Sequence, residues 1–519
     1  MTIKQVSQNT EVDERLAALM TNANAIKVIA QAVEGTIGPK GLDTMLVDKF
    51  GDVVITNDGV TILNLMEVNH PAAKMLINIA RAQQSEIGDG TTTATILAGE
   101  LVTNGTEQVI KGVPVARVIE GMKFGIKKAL DFISESSVAA KDNSYSKQIA
   151  LVAGREHEDI ANLIVEAADM LGEDKLRDKN FKFADIVTAE VGAENQVFEG
   201  VIIDKEPIDK LGDHYRANVK IMVVDDALQQ EELSDEALAT EAGFNKYLEL
   251  KKQFEEHVRK IISLGVGLVL IDRGIDPVAE ELFSDHNIMC LQRVSHKELQ
   301  KAAEHLGAKM LKRTGLKKDL AELERYLGFA EEVQYDEKLK NIRIVGGKGK
   351  PAATILVGAS TEEVVGERER IAKDAASAVQ AAVTGGIVPG GGAIELAAAV
   401  AVEKAKADVR GMAAYGVECV AEALKKPFMQ IITNAGFNPL EKLGDVIAAQ
   451  SENNAVHYAI DCDSGNIANM YELGVIDPAK VKLHALKAAG EVAEAILRID
   501  TIIKKREEFR QTSSDMMRD

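Results

Sequence analysis

Tryptophan is absent from the 519 residues, aromatics together make up 4%, and cysteine occurs only at Cys290, Cys419 and Cys462. Cores must therefore be built from Ala, Val, Ile and Leu, which favours closely packed helices. The cysteines lie far apart with no CxxC spacing, so a disulfide framework is excluded and a reducing compartment is expected. No GxxxxGK[ST] pattern occurs, and nucleotide binding cannot be argued from that signature. Nowhere do about 18 uncharged apolar residues run together, and Met1-Thr2-Ile3-Lys4-Gln5 opens no apolar leader, so a soluble cytoplasmic protein with no membrane partner is expected. No long Lys/Arg block appears among 61 basic and 81 acidic residues, and the formal net charge is −20. Nucleic acid is thereby set aside as a partner. The length exceeds what one core can serve and suggests roughly three or four domains.

What is present is organised around Gly88-Asp89-Gly90-Thr91-Thr92-Thr93. Two glycines flank a carboxylate, and Ala94, Leu97, Ala98, Leu101 and Val102 then recur at helical spacing, so a helix begins at about Thr91. Its free amides and the positive end of its dipole favour an anion. A carboxylate beside a phosphate makes sense if magnesium lies between them. The ordinary alternative is a turn followed by a threonine N-cap.

Other stretches have two readings each. Gly35-Thr36-Ile37-Gly38-Pro39-Lys40-Gly41 closes a helix face formed by Ile26, Ile29, Ala30 and Val33; a helix C-cap explains Gly35 but not Gly38 and Gly41. Asn57-Asp58-Gly59 between Asp52-Val53-Val54-Ile55-Thr56 and Val60-Thr61-Ile62-Leu63 signals a β-hairpin, or a second carboxylate turn facing the ligand of Asp89. Arg155, in a charged turn after Gly154, reads as a solvated helix start or a ligand contact. Asp374 sits at the edge of the buried face Ile371, Ala375, Ala378, Val379, Ala382 and Val383, where an unpaired charge is costly, or on an exposed helix side. Gly390-Gly391-Gly392 suits close approach of a backbone or a flat ligand. For His286, Cys290 and His296 no zinc spacing fits, and Cys290 reads as a buried structural residue.

The texture is helical to about residue 170, broken at Gly112-Val113-Pro114, and helical again from Glu362. Between them strands are expected at residues 186–188, 201–203, 219–224, 267–271 and 288–291, alternating with helices near 244–262, 277–284 and 296–306. This is an α/β unit inserted into a helical domain made from both chain ends. The run from Asp225 to Leu238 reads as a solvated face, or as a mobile protrusion that packs on a partner through its leucines.

With Thr36-Ile37-Gly38-Pro39-Lys40-Gly41, Asn57-Asp58-Gly59, Gly88 to Thr93, Asp374 and Gly390-Gly391-Gly392 together, the chain resembles a chaperonin subunit over nearly its whole length. Gly200-Val201-Ile202-Ile203-Asp204-Lys205-Glu206 and the protrusion make it similar to the thermosome type, group II. The resemblance implies an α+β multidomain fold. A mainly helical equatorial ATPase domain would span 1–143 and 398–519, and a small intermediate hinge domain 144–212 and 355–397. An α/β apical domain would span 213–354, with a helical protrusion at about 226–256, and bind non-native polypeptide. It implies ATP and Mg²⁺ as cofactors and self-association into stacked double rings. Thr36, Ile37, Gly38 and Pro39, with Asn57 and Gly90, Thr91, Thr92 and Thr93, would hold the nucleotide phosphates, and Asp89 the magnesium. Asp58 and Asp374 would orient and activate the attacking water. Gly391 and Asp477 would line the nucleoside pocket. Such subunits usually carry a lysine in the loop that senses nucleotide; here the corresponding turn offers Arg155, which fits a bacterial branch of the type and is planar and bidentate where lysine is a point charge. The expected activity is an ATP-driven folding chamber. The alternatives are a small-molecule phosphotransferase and a ring-forming holdase whose ATPase is incidental.

Overall fold

The computed structural model describes all residues except 1–3, 8, 9, 14, 48–50, 52, 141, 142, 210–213, 232, 235–239 and 506–519. Two compact units emerge. The first combines Met1–Ala161, Lys182–Ala184 and Arg370–Asp519, and the second combines Asn162–Phe181 and Asp185–Glu369. The expected intermediate segments are thus shared between the two units.

The first unit is helical because small residues let long helices approach closely. Helices Arg15–Glu34, Pro71–Glu86, Thr91–Ile110, Val115–Glu135, Ala393–Ala405, Ala413–Asn434 and Ala479–Leu497 contribute to it. Ile26, Leu76, Leu101, Val118, Val402, Val420, Leu424 and Ile496 share its main core, so residues from both chain ends fill one interior. Backbones meet at Gly121 and Gly416: a Cβ on Gly416 would collide with Val118 O and stand 2.8 Å from Met122 N. Arg15–Glu34 is the one described helix apolar and long enough to cross a membrane, yet Ala18, Leu19, Ile26, Ile29, Ala30 and Val33 bury its inner face in the core.

The second unit is built on an eight-stranded mixed sheet. The expected strands occur as Val187–Val191, Gln196–Ile203, Tyr215–Val224, Val266–Ile271 and Met289–Leu291. Gly328–Asp336, Asn341–Gly347 and Ala353–Ala359 join them and had not been expected. Tyr215–Val224, Val266–Ile271 and Met289–Leu291 run parallel, whereas Gly328–Asp336 pairs antiparallel with Tyr215–Val224. Alternation along one strand serves two cores. Val219, Ile221 and Val223 pack with Leu299 and Ala302 of helix His296–Leu306, while Met222 and Val224 pack with Phe254, Val258 and Phe283 of Glu241–Ser263 and Pro277–Asp285. A strand covered on both faces reads as an unbroken apolar run.

Three expectations need correction or limits. Asn57-Asp58-Gly59 is no hairpin turn: Val53–Thr56 pairs with Thr44–Val47, and Gly59–Leu65 is a helix capped by Asp58. β-branched Val60, Thr61 and Ile62 are carried into helix by that cap and by the burial of Val60, Ile62 and Leu63. Leu228 packs in the unit's own core at 0% exposure, so it offers nothing to a partner. Glu232 and residues 235–239 of the expected protrusion, and Asp52, lie outside the described residues.

Gly416→Ala should lower the stability of the first unit by about 2 kcal/mol, because overpacking at a backbone contact cannot relax. Thermal unfolding of the purified variant checks this, and a melting point equal to that of the parent would contradict the close-contact argument.

Candidate nucleotide site

The site is assembled inside the first unit from turns whose glycines permit contact. Gly88 and Gly90 adopt φ of 84° and 79°, and Gly90 is the N-cap of Thr91–Ile110 with no side chain to offer its amides. The start at Thr91 is where the periodicity placed it. A Cβ on Gly59 would stand 2.5 Å from Thr92 Oγ1, so the Asp58 and Asp89 turns touch. A Cβ on Gly88 would collide with Ser377 Oγ. Ser377 lies one helical turn beyond Asp374 on the same face, which brings the third carboxylate to the same loop.

Each acid is held differently. Asp58 Oδ1 accepts from Val60 N at 3.3 Å, and its Oδ2 accepts from Thr61 N at 3.0 Å and Thr61 Oγ1 at 2.6 Å. Asp89 is half-buried, and its Oδ1 accepts from Gly90 N at 2.6 Å. Burial first, then the Asp477 charge, pushes the Asp89 carboxyl up to about 6, against the Gly90 amide, Lys482 and Arg155. Asp374 is raised well above the usual carboxylate range by burial, then by Asp58 and Asp89, while Arg155 and a hydrogen bond with Gln84 oppose the rise.

Arg155 is half-buried in a turn where it and Glu156 take left-handed φ values of 53° and 63°. Its charge acts on both Asp89 and Asp374, which is more than a solvated helix start requires. The loop after Glu34 is closed by Gly41 N donating to Gly38 O and Leu42 N to Gly35 O, each at 3.0 Å. Buried Thr36 donates its Oγ1 to Val33 O at 2.9 Å, while Gly38 and Pro39 stay exposed. Asn434 pins this loop, donating Nδ2 to Glu34 O and Ile37 O at 2.9 Å each.

On another side of the site, strand Ile387–Pro389 pairs antiparallel with Ile476–Pro478 and sets Val388 opposite Asp477. Gly391 and Gly392 have φ of 64° and 81°, and a Cβ on Gly392 would come within 2.8 Å of Phe428 Cα. Asp477 Oδ2 lies 2.8 Å from Lys482 Nζ, which also reaches Glu395 Oε1 at 2.7 Å.

Several residues escaped the sequence reading. Fully buried Gln83 donates Nε2 to Asp89 O at 2.7 Å and to Val481 O at 3.3 Å, and its Oε1 meets His484 Nδ1 at 2.6 Å. Gln83, Gln84, Ser377, Glu395, Asn434 and Lys482 sit in helices, where nothing in their spacing separates them from ordinary helix residues. The metal reading of His286, Cys290 and His296 fails. His296 Nδ1 meets Asp225 Oδ1 at 2.9 Å, His286 Nδ1 faces Leu282 O at 2.9 Å, and burial raises the Cys290 thiol far above its usual range.

Among the described residues no three metal-ligating side chains form a cage. Magnesium needs none: one or two carboxylates with phosphate oxygens suffice. Carboxylates raised by burial and repulsion, beside a helix start whose cap lacks a side chain, are the donor set that a hard cation and a phosphate together would satisfy.

The TCP-1/cpn60 chaperonin family model matches residues 29–507. The chain belongs to that family. A thermosome subunit of Desulfurococcus sp. (strain SY) is 36% identical over 503 residues, covering 93% of this chain and 91% of the relative. Thermosome subunit alpha of Thermoplasma acidophilum is 34% identical over 522 residues, with 96% and 93% covered. A crystal structure of a group III chaperonin in the open state is 47% identical with a TM-score of 0.84, covering 94% of this chain and 99% of that one. Within the family the chain is of the thermosome type, an ATP-dependent chaperonin subunit that couples hydrolysis to protein folding. Neither the phosphotransferase nor the holdase alternative is favoured.

A raised carboxyl binds its proton more tightly in the folded state, so the stability it contributes is complete at low pH and is lost as pH rises through about 6. Nucleotide-free Asp89→Asn should therefore be more stable than the parent by about 1 kcal/mol at about pH 7, a difference that shrinks toward about pH 4.5. Melting curves across that range check it; a pH-independent difference would count against the origin given for the shift.

Proposed function

We propose that this chain closes a ring chamber around non-native polypeptides by hydrolysing ATP, with Mg²⁺, at the gathered carboxylates. The observation that carries this reading is that Asp58 and Asp374, from a separate turn and a separate helix, come together around the Asp89 loop and the start of Thr91–Ile110 within a single unit. Thr36 to Pro39, Asn57 and Gly90 to Thr93 hold the phosphates, Asp89 holds the metal, and Gly391 and Asp477 line the nucleoside. Magnesium, when bound, neutralises phosphate charge and orients the triphosphate.

The chain's residues divide the remaining work. Asp374, whose carboxyl is raised above the ordinary carboxylate range by burial and its acid neighbours, takes the proton from the attacking water. Asp58 is already engaged by three donors, which fixes its carboxylate and suits it to orienting the same water. Arg155, whose charge reaches two of the acids, reports the phosphate state to the rest of the subunit. Its fork can bind two oxygens at once, so arginine here couples differently from a lysine point charge. The three-part division into equatorial, intermediate and apical domains, the stacked double ring of identical subunits and the cytoplasmic location belong to the same proposal. The charge of −20 supports a partner other than nucleic acid.

Asp374→Ala should retain ATP binding and lose most turnover, with kcat down about 10²-fold or more and KM changed only a few-fold. Steady-state phosphate release alongside nucleotide binding by calorimetry measures both. Hydrolysis at the parental rate would remove Asp374 from its role.

A further inference from the structure

Lys482 lies in the first turn of Ala479–Leu497, with its side chain only 11% exposed, between two carboxylates. Its Nζ is 2.7 Å from Glu395 Oε1 and 2.8 Å from Asp477 Oδ2. Glu395, in the first turn of the helix after the three glycines, is 2% exposed and has no other ion pair among the described residues. A buried ammonium shared by two acids is costly to assemble unless its geometry is held.

Here it is held from several directions. The pairing of Val388 with Asp477 fixes the Asp477 backbone, and Gly390 N donates to Val475 O at 2.9 Å beside it. Gln83 donates to Val481 O, and a Cβ on Gly90 would collide with Val481 Cγ1, so the turn carrying Lys482 is registered against the Asp89 loop. Meanwhile the approach to Asp477 is kept open: a Cβ on Gly390 would stand 3.1 Å from Asp477 Oδ2. With Oδ2 tied to Lys482, Oδ1 has no hydrogen-bond partner among the described residues.

We infer that Lys482, anchored by Glu395, is a positioning residue that orients Asp477 to accept hydrogen bonds from the ribose hydroxyls of the bound nucleotide. The inference rests on the reading of Asp477 as part of the nucleoside pocket. Without Lys482 the two acids repel, Asp477 turns or takes up a proton, and the ribose loses its acceptor. Specificity for the vicinal diol is lost while contacts to base and phosphates persist.

The test compares ATP with 2′,3′-dideoxy-ATP as substrates of the full-length assembled protein. The parent should prefer ATP by about tenfold in kcat/KM, the value of roughly one good hydrogen bond to a charged acceptor, and Asp477→Ala should abolish the preference. Lys482→Met should abolish it too, through a rise of about tenfold in the KM for ATP, while the KM for the dideoxy analogue moves by less than about threefold. A merely structural role would raise both KM values together, and that result, or a preference that survives in Lys482→Met but not in Asp477→Ala, overturns the positioning role alone. Absence of preference in the parent, or its survival in Asp477→Ala, instead removes Asp477 from the nucleoside pocket, and the inference falls with it. Should Lys482→Met not fold, the double variant E395M/K482M replaces the buried pair by apolar volume and faces the same criterion.

Discussion

Asp89 and Asp374 are held where burial and the charges of neighbouring acids oppose their ionisation, with Asp58 beside them, and the first unit accepts this because other contacts fix the three backbones. Gly59 lies against Thr92 and Gly88 against Ser377, so the loops cannot separate to relieve the charge. Gln83 grips the Asp89 carbonyl from a fully buried position. The result is a strained electrostatic arrangement that a cation and a phosphate can relax. Perturbed carboxyls with identified charge partners are where function is expected, and here they mark one place.

The site is asymmetric in charge. On one side Asp89 and Asp374 face Arg155, and on the other Asp477 and Glu395 share Lys482. The two sides communicate, since the Asp477 charge helps raise Asp89 while Lys482 lowers it. The turn that begins Ala479–Leu497 therefore bears on both the Asp89 loop and Asp477. Packing joins them as well, because Val481 lies against Gly90 and its carbonyl accepts from Gln83.

Scarcity of aromatics shapes the rest of the molecule. Without tryptophan, the first unit's core is filled by Ala, Val, Ile and Leu, and glycines such as Gly121 and Gly416 let helices approach until backbones touch. In the second unit the same residue types serve two faces of one sheet, and the alternation along Tyr215–Val224 decides which core each side chain enters. Cys290 is one of these fillers, buried on the face that carries Phe254 and Phe283.

Local chemistry along the chain was enough to determine the helix starting at Thr91, the five strands of the inserted unit that it marked out, and the glycine turns bearing Asp89 and Gly391. Periodicity and glycine act within a few residues, so these are legible without a fold. It misread Asn57-Asp58-Gly59, because the same three residues suit a hairpin turn and a helix cap, and only the pairing of Val53–Thr56 with Thr44–Val47 decides between them. It passed over Gln83, Glu395, Asn434 and Lys482, whose partners lie elsewhere along the chain and whose own neighbourhoods are plain helix. What only the tertiary structure decided is which charges meet: desolvation and Coulomb interaction depend on distance through space, and no spacing along a chain reports that distance.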